Sequence, residues 1–319
     1  MRKFGLLLVI VALISCGQKA FVLPKPELSR TPATSESEII NASTPKGMKL
    51  QDSRRIDTQP PFIFAAYANE EEFKIQLKVF VVEDDKVVKT YDSGELEGQM
   101  MGFNDEVLNN SWGKLVAENV FVLPVSIYLG GNDWTSAYNK FFTIVDSNLV
   151  EIPVECEPGM VAGAMIEDEG KLVVPVYDGR FQMFDDLYHA ISPSRAYIFE
   201  YDAAKKAFVD STPKHQAYVK QAIDESIKNA STKDSINDPL IKASTMVTLY
   251  VQAEAGGIIE QVMPQIKTIM EKFPNDATVK KVWEQIQDAS NNGKPFATFA
   301  PWGEEMDFRW KPLDMKESK

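Results

Sequence analysis

The segment that decides the fold of the N-terminal half reads FKIQLKVFVVEDDKVVKTYDSG and covers residues 73–94. Apolar and polar side chains alternate from position 73 to 81, which is the two-residue period of a half-buried β-strand. The polar run from Glu83 to Lys86 predicts a turn, and VVKTY supplies a second strand. We therefore predict an antiparallel β-hairpin in this segment.

Two later segments have the same layout. KFFTIVDSNLVEIPVE, residues 140–155, turns near position 147, and AYIFEYDAAKKAFVDS, residues 196–211, turns near position 204. Each follows a proline-containing strand and a loop rich in Gly, Asp and aromatic residues, which suggests a degenerate internal repeat. Repeated hairpins predict an antiparallel β-rich domain over residues 61–211, built as a sandwich or as a curled meander.

The apolar period changes to 3.6 residues after position 211, which is typical of amphipathic helices. Thr212–Pro213 and Asp238–Pro239 are helix-start signals, because proline suits the first turn of a helix. Four helical segments joined by short loops predict a small helical domain over residues 212–290, followed by an aromatic tail over residues 291–319. The expected fold class is α+β, with an N-terminal antiparallel β-rich domain followed by helices.

The first 16 residues combine a charged start, a short apolar stretch and a cysteine. Arg2 and Lys3 precede an apolar run that is shorter than the ~20 residues needed to span a bilayer and that matches a secretory signal peptide. The sequence LISC, ending at Cys16, resembles the lipobox of bacterial lipoproteins. The resemblance implies removal of residues 1–15 and anchoring of the chain by acyl groups, such as palmitate, on Cys16.

Residues 16–60 are interpreted as a lipidated, flexible tether. Proline, serine and threonine are frequent there and no apolar period persists, so the stretch is expected to bury too little surface to fold. Gly17 and Gln18 stand where an aspartate favours inner-membrane retention of bacterial lipoproteins, which implies the outer membrane. The expected localisation is the cell envelope, with the protein held there by its lipid.

Composition narrows the choice of partners. The chain has a formal net charge of −12, and loss of Arg2 and Lys3 with the signal peptide makes the balance about −14. A chain this acidic, without a run of basic residues, is not expected to bind nucleic acid. With Cys16 acylated, Cys156 has no disulfide partner, and two histidines exclude a histidine-rich metal site. No cofactor and no metal are expected.

Two long loops at equivalent points of the repeat are the candidate binding elements, because loops on a rigid sheet often carry function. Aromatic rings flanked by polar groups suit a sugar or an extended peptide. The alternative is that the same rings fold back and cap the end of the sheet. The candidate ligand-binding residues are Asp133, Trp134 and Tyr138 in the first loop and Asp178, Arg180, Phe181 and Tyr188 in the second.

Catalytic motifs are scarce in the sequence. Asp185 and His189, in the second loop, form an Asp–His pairing that could act as a general base, but the chain contains no G-x-S-x-G nucleophile motif. His215, the other histidine, is expected to be solvated. The sequence therefore predicts a non-catalytic binding or assembly module for an envelope protein or polymer. The alternative is a hydrolase that acts on an envelope polysaccharide or peptide.

Overall fold

The protein is described by a computed structural model in which antiparallel sheets precede a helical part, and this confirms the predicted α+β class. The chain divides into two compact units, Met1–Gly131 with Asn139–Pro153 (unit 1) and Asn132–Tyr138 with Val154–Lys319 (unit 2). The residues that the structure describes are 29–30, 34–57, 60–84, 86–103, 115–117, 120–129, 137–146, 148–157, 159–179, 193, 195–231 and 237–292.

The β-rich part is built from antiparallel pairs of consecutive strands. One sheet has the order β1-β2-β3-β4-β5, a second has the order β11-β10-β9-β6, and β7 pairs with β8. The strands are β1 (Ser29–Arg30), β2 (Lys49–Ile56), β3 (Phe62–Asn69), β4 (Lys74–Glu83), β5 (Lys86–Glu97), β6 (Met100–Gly102), β7 (Leu115–Ala117), β8 (Val120–Phe121), β9 (Leu123–Tyr128), β10 (Ala137–Val145) and β11 (Asn148–Ile152). The β4–β5 and β10–β11 pairs confirm the first two predicted hairpins.

Apolar side chains of unit 1 are buried on both faces of the first sheet, and on one of these faces the second sheet lies against it. The β3 strand is buried along nearly its whole length, because it is central in its sheet. The Phe64 ring packs edge-on against Phe103, with ring centroids 6.0 Å apart. A Cβ on Gly98 would lie 2.7 Å from the Ile75 side chain and 3.0 Å from that of Ile127, so only glycine allows the sheets to approach here.

The structure differs from the predicted tether. Helix α1 (Thr34–Ala42) and strand β2 lie within residues 16–60; β2 pairs with β3 inside the first sheet, and α1 packs on that sheet. The buried Ile40 side chain joins the core, and its carbonyl oxygen accepts a hydrogen bond from the Tyr67 hydroxyl at 2.8 Å. Lys78 Nζ donates to the Ser43 carbonyl just after the helix, at 3.0 Å. These contacts depend on strands distant in sequence, which explains why local composition failed to predict them.

Unit 2 joins a sheet to the helices. Its sheet has the order β12-β14-β15-β16, with β13 paired to β14. The strands are β12 (Met160–Ala162), β13 (Ile166–Asp168), β14 (Lys171–Asp178), β15 (Ala196–Asp202) and β16 (Ala207–Asp210). The third predicted hairpin corresponds to β15–β16. A 3₁₀ turn (Thr212–Lys214) leads into the helices α2 (Gln216–Ala230), α3 (Pro239–Ala255), α4 (Ile259–Lys272) and α5 (Ala277–Asn292).

Helix α3 is the centre of the helical part, because side chains on all its faces are buried. Asp238 caps its start, accepting hydrogen bonds from the backbone N–H groups of Leu240 at 2.9 Å and Ile241 at 3.3 Å. The buried Lys242 ammonium donates to the Ala230 carbonyl, the last residue of α2. Burial lowers the pKa of Lys242, as does the nearby charge of Lys272. None of the described helices is long and apolar enough to cross a membrane.

The predicted domain boundary at residue 211 differs from the division into units, since strands β12–β16 group with the helices. The Gln252 side chain of α3 explains part of this grouping. Its amide Nε2 donates to the Ala196 carbonyl and its Oε1 accepts from the Ala196 N–H, both at 2.9 Å. A helix side chain thus hydrogen-bonds the first residue of β15 as a neighbouring strand would.

Candidate functional site

The structure describes two of the residues proposed from sequence to bind a ligand. Tyr138 is the second residue of β10 and is half-buried. Asp178 ends β14, is 1% exposed, and donates its backbone N–H to the Arg195 carbonyl at 2.9 Å. Outside the described residues lie Cys16, Asp133, Trp134, Arg180, Phe181, Asp185, Tyr188 and His189.

A buried histidine lies between two carboxylates in unit 2. His215 follows the 3₁₀ turn, and its side chain is only 2% exposed. Its Nδ1 atom is 2.5 Å from an Asp168 carboxylate oxygen, and its Nε2 atom is 3.1 Å from one of Glu200. The prediction of a solvated His215 is therefore wrong.

The turn before His215 positions the histidine next to β13 and β15. Thr212 Oγ1 accepts a hydrogen bond from the Ile198 N–H of β15 at 2.9 Å, and the Thr212 N–H donates to Asp210 at 2.9 Å. Pro213, the second residue of the turn, has its own φ fixed by the proline ring. The turn thus lies against β15, and His215 is directed at the carboxylates of β13 and β15.

Two lysines balance the charge of the cluster. Lys171 Nζ lies 2.7 Å from Glu200 Oε1, and Lys214 Nζ lies 3.4 Å from Glu200 Oε2. Burial acts to raise the pKa of Glu200, but the hydrogen bonds and charges of the two lysines outweigh it and lower that pKa. Glu200 is therefore held as a carboxylate.

The arrangement around His215 is suited to holding structure together. A general base needs a ring nitrogen within reach of the substrate proton, whereas both ring nitrogens of His215 face carboxylates of its own chain. The ring is also almost fully covered. The cluster connects β13, β15 and the turn before α2, and we interpret it as a clasp, called the His215 clasp below.

A second, partly buried group of polar side chains lies where β15 begins: Arg195 and Glu254 form a charge pair, and Gln252 hydrogen-bonds the neighbouring Ala196. The Arg195 guanidinium stacks over the Tyr197 ring, 4.6 Å from its centroid. Its Nη2 atom is 3.6 Å from Glu254 Oε2, a separation longer than a hydrogen bond. Within the described residues, Glu254 Oε2 is buried and has no hydrogen-bond donor. We call these three residues the Glu254 cluster.

The Glu254 carboxyl is chemically distinct from the other described carboxyls. Burial raises its pKa from 4.5 to about 7, and the charge of Arg195 offsets only part of that rise. A carboxyl with a pKa near neutral can exchange a proton under physiological conditions, which is the property that general acids require. Arg195 directly follows the segment that holds Asp185 and His189.

The backbone places several exposed apolar residues near one another at one end of unit 1. Phe73 accepts a backbone hydrogen bond from Gly98 at 3.0 Å, and Tyr128 accepts one from Gln99 at 3.0 Å. Met100 lies directly across from Tyr128 in the β6–β9 pair. Eight large apolar residues are exposed within the described ranges, and four of them lie here. We call this group the Gly98 corner, and its apolar members are Phe73, Met100, Tyr128 and Leu129.

Sequence reasoning did not identify the Glu254 cluster or the Gly98 corner. Arg195, Gln252 and Glu254 come from distant segments, and nothing local marks them as neighbours. A weak signal for the corner exists in EGQMMG, residues 97–102, where two adjacent methionines must point to opposite faces of a strand. One of them is therefore directed away from the core.

Neither composition nor similarity adds a chemical assignment to these clusters. No group of three or more potential metal ligands is found among the residues that the structure describes. Comparison of the chain with protein-family models, with curated proteins and with solved structures finds no match.

Proposed function

We propose that this protein is a lipid-anchored lipoprotein of the bacterial cell envelope, at the outer membrane. In this proposal it acts as a non-catalytic binding or assembly module for a partner protein or an envelope polymer. The anchor rests on the N-terminal sequence, in which a charged start and a short apolar run lead into LISC, whose last residue, Cys16, is the proposed site of acylation. The loop residues Asp133, Trp134, Arg180, Phe181 and Tyr188 remain predicted contacts for the ligand.

The observation that carries the binding role is the Gly98 corner. Single exposed apolar residues are ordinary on a protein surface, but contiguous groups of them often mark interaction sites. Leu129 leads directly into the segment that contains Asp133 and Trp134. A binding role thus has support from a described surface as well as from the composition of the loop.

The His215 clasp favours binding over catalysis. The sequence contains two histidines, and the one that the structure describes has both ring nitrogens engaged by carboxylates. The catalytic alternative then depends on His189 and its neighbour Asp185.

Cross-linking in intact cells tests the proposal. The lipidated protein is cross-linked and purified, and the captured material is analysed for proteins and for glycans, with an unrelated lipoprotein as the control. We expect one abundant partner or polymer that the control does not capture. We also expect Cys16→Ala to release the protein from the membrane fraction. Full membrane retention of that variant, or capture identical to the control, would contradict the proposal.

The hydrolase alternative has one observation in its favour, which is the near-neutral pKa of Glu254. Such a carboxyl could act as a general acid in a reaction that also uses Asp185 and His189. The test is release of soluble fragments from purified envelope polymer by the wild-type protein, compared with the variants Glu254→Gln and His189→Ala. Fragment release by the wild type that both substitutions abolish would establish the hydrolase and exclude the non-catalytic proposal.

A further inference from the structure

We propose that the Gly98 corner docks a cationic, amphipathic segment of a partner protein. The inference rests on the proposed binding function and specifies the chemistry of the partner. It comes from the shape of an exposed apolar surface, from a strained aromatic residue within it and from the charges around it.

The apolar part of the corner faces solvent. The exposed fractions of Phe73, Met100, Tyr128 and Leu129 lie between 36% and 49%. Met100 and Tyr128 are cross-strand neighbours on the outer face of their sheet, since the adjacent pair of Met101 and Ile127 is buried. Directly opposed side chains lie about 5 Å apart at their Cβ atoms. The pair therefore forms one continuous apolar surface.

Phe73 occupies a backbone conformation that a bulky residue rarely adopts. Its φ is +54°, in the left-handed region where glycine or asparagine is usual. It is also 49% exposed, so the ring gains little from burial in its own chain. A strained and exposed aromatic residue is explained if its ring contacts a partner, because buried aromatic anchors dominate many interfaces.

Acidic side chains lie at the same end of the sheet as this apolar surface, next to Phe73 in the turn and just before Met100 at the end of β5. The β3–β4 turn contributes Glu70, Glu71 and Glu72, and the end of β5 contributes Glu95 and Glu97, all of them exposed. We call these five residues the acidic rim.

Three lysines at this end of the sheet, Lys46, Lys49 and Lys74, are outnumbered by the five carboxylates and leave the rim negative. Lys74 lies 2.9 Å from Glu72 and 3.3 Å from Glu95, and Lys49 begins the neighbouring strand β2. A partner that covers the apolar centre must come close to the remaining carboxylates. Lysine or arginine beside apolar side chains would complement both parts of the surface, whereas anionic lipid or nucleic acid would be repelled.

Peptide binding to the purified full chain in detergent tests the inference. The probe is a 12-residue peptide of alternating lysine and leucine, and the comparison peptides replace either every lysine by glutamate or every leucine by serine. We expect the lysine–leucine peptide to bind at least about tenfold more tightly than either comparison peptide. We also expect its affinity to fall with added salt, because exposed charges are screened.

Matched variants locate the binding. Phe73→Gly removes the ring and relieves the left-handed strain, so it should fold at least as well as the wild type and bind at least about tenfold more weakly. Tyr128→Ser should also weaken binding. Val88→Ser and Val150→Ser remove exposed apolar groups elsewhere in unit 1 and should bind as the wild type does.

The rim has its own matched pair of variants. Glu71→Lys reverses one rim charge and should weaken binding of the lysine–leucine peptide. Glu83→Lys reverses an exposed charge at the opposite end of β4 and should not. Equal weakening by the two reversals would show that net charge alone attracts the peptide, and would overturn the inference. Unchanged binding in Phe73→Gly and Tyr128→Ser would overturn it as well.

Other occupants of the corner give distinct results. A dimer of the wild type in sedimentation experiments that Phe73→Gly and Tyr128→Ser convert to monomer would identify the corner as a contact between copies and refute the proposal. Binding of the corner to phosphatidylcholine vesicles, lost in the same variants, would refute it in favour of a lipid surface.

The inference and the proposed function fail in different ways. If intact-cell cross-linking captures a partner equally well with wild type and Phe73→Gly, the binding function stands and the corner is not its site. If cross-linking captures nothing specific while the peptide results hold, the corner binds cationic segments but the envelope role is refuted.

Discussion

The two charge clusters of unit 2 each hold a glutamate near a cationic side chain, but they differ in how completely that glutamate is partnered. In the His215 clasp, each ring nitrogen faces a carboxylate and Glu200 also lies near two lysines. In the Glu254 cluster, the carboxylate oxygen and the guanidinium remain 3.6 Å apart. The pKa of Glu200 is lowered in the His215 clasp, whereas the pKa of Glu254 is raised in the Glu254 cluster.

The two glutamates differ both in their partners and in their burial: the lysines of Glu200 outweigh the effect of its burial on the pKa, whereas Arg195 offsets only part of that effect for Glu254. A buried ion keeps its charge when hydrogen bonds replace the lost water, and otherwise it tends to become neutral. Breaking the clasp should therefore destabilise the fold, whereas neutralising Glu254 should stabilise it.

Replacing His215 by alanine should destabilise the protein by about 3 kcal/mol, because it leaves the carboxylates of Asp168 and Glu200 in a covered site without the ring between them. Urea unfolding at neutral pH measures the change. Lys214→Ala is the control, since that lysine is 70% exposed and its loss should cost within about 0.5 kcal/mol. A loss below about 1 kcal/mol for His215→Ala would mean that the clasp contributes little.

Replacing Glu254 by glutamine should stabilise the protein at high pH. The folded protein holds a proton on Glu254 that the unfolded chain releases, so wild-type stability falls as pH rises from 4.5 to about 7. Glutamine does not titrate, so the stability of the Glu254→Gln variant does not fall in this way. We expect a gain on the order of 2 to 3 kcal/mol at pH 8 and none below pH 4.

Urea unfolding as a function of pH measures the effect of Glu254→Gln. Glu260→Gln is the matched control, because Glu260 is an exposed glutamate in the first turn of α4. Parallel stability curves for wild type and Glu254→Gln would show that the carboxyl is not shifted.

Replacing Gln252 by alanine should destabilise the protein by about 2 kcal/mol, because both the N–H and the carbonyl of Ala196 lose their side-chain partner. Hydrogen exchange at the Ala196 amide should accelerate more than exchange at the centre of β15. Gln261→Ala, at an exposed position of α4, is the control. Unchanged protection of Ala196 would show that the helix does not hold the start of this strand.

Much of the fold could be predicted because its signals are local. The alternation from Phe73 to Val81 corresponds to β4, and Asp238 followed by Pro239 marks the start of α3. In both places the residues that determine the structure lie within one turn or one strand. Such local patterns predict the element without knowledge of the rest of the chain.

Strand β2 shows where local signals fail. Its sequence KLQDSRRI has no apolar alternation, and its side chains are mostly half-buried. It becomes a strand because its backbone pairs with β3 from Lys49 to Ile56. The partner strand FIFAAYAN is recognisable by itself, but the sequence does not state which segment lies beside it.

The candidate sites were the least predictable part, because they depend on distant residues. His215 lies 47 positions from Asp168 and 15 from Glu200 in the sequence. Its side chain is buried because the fold brings these three residues together. The sequence around His215 is polar and indicates a solvated helix start. The loop residues Trp134, Arg180 and His189 lie outside the described residues, so their roles stay predictions.

The smallest effect should come from the exposed edge of the His215 clasp. Lys171 is 64% exposed, so Lys171→Met should change stability little, because solvent screens the pair. The pKa of Glu200 should nevertheless rise, since the hydrogen bond and charge of Lys171 help to lower it against the effect of burial. Carbon NMR titration of the Glu200 carboxyl measures this shift. Lys205→Met, which removes the partner of Glu155, should leave Glu200 unchanged. An unmoved Glu200 in Lys171→Met would mean that Lys214 and the ring of His215 suffice to hold the carboxylate, and that the clasp is complete without its exposed lysine.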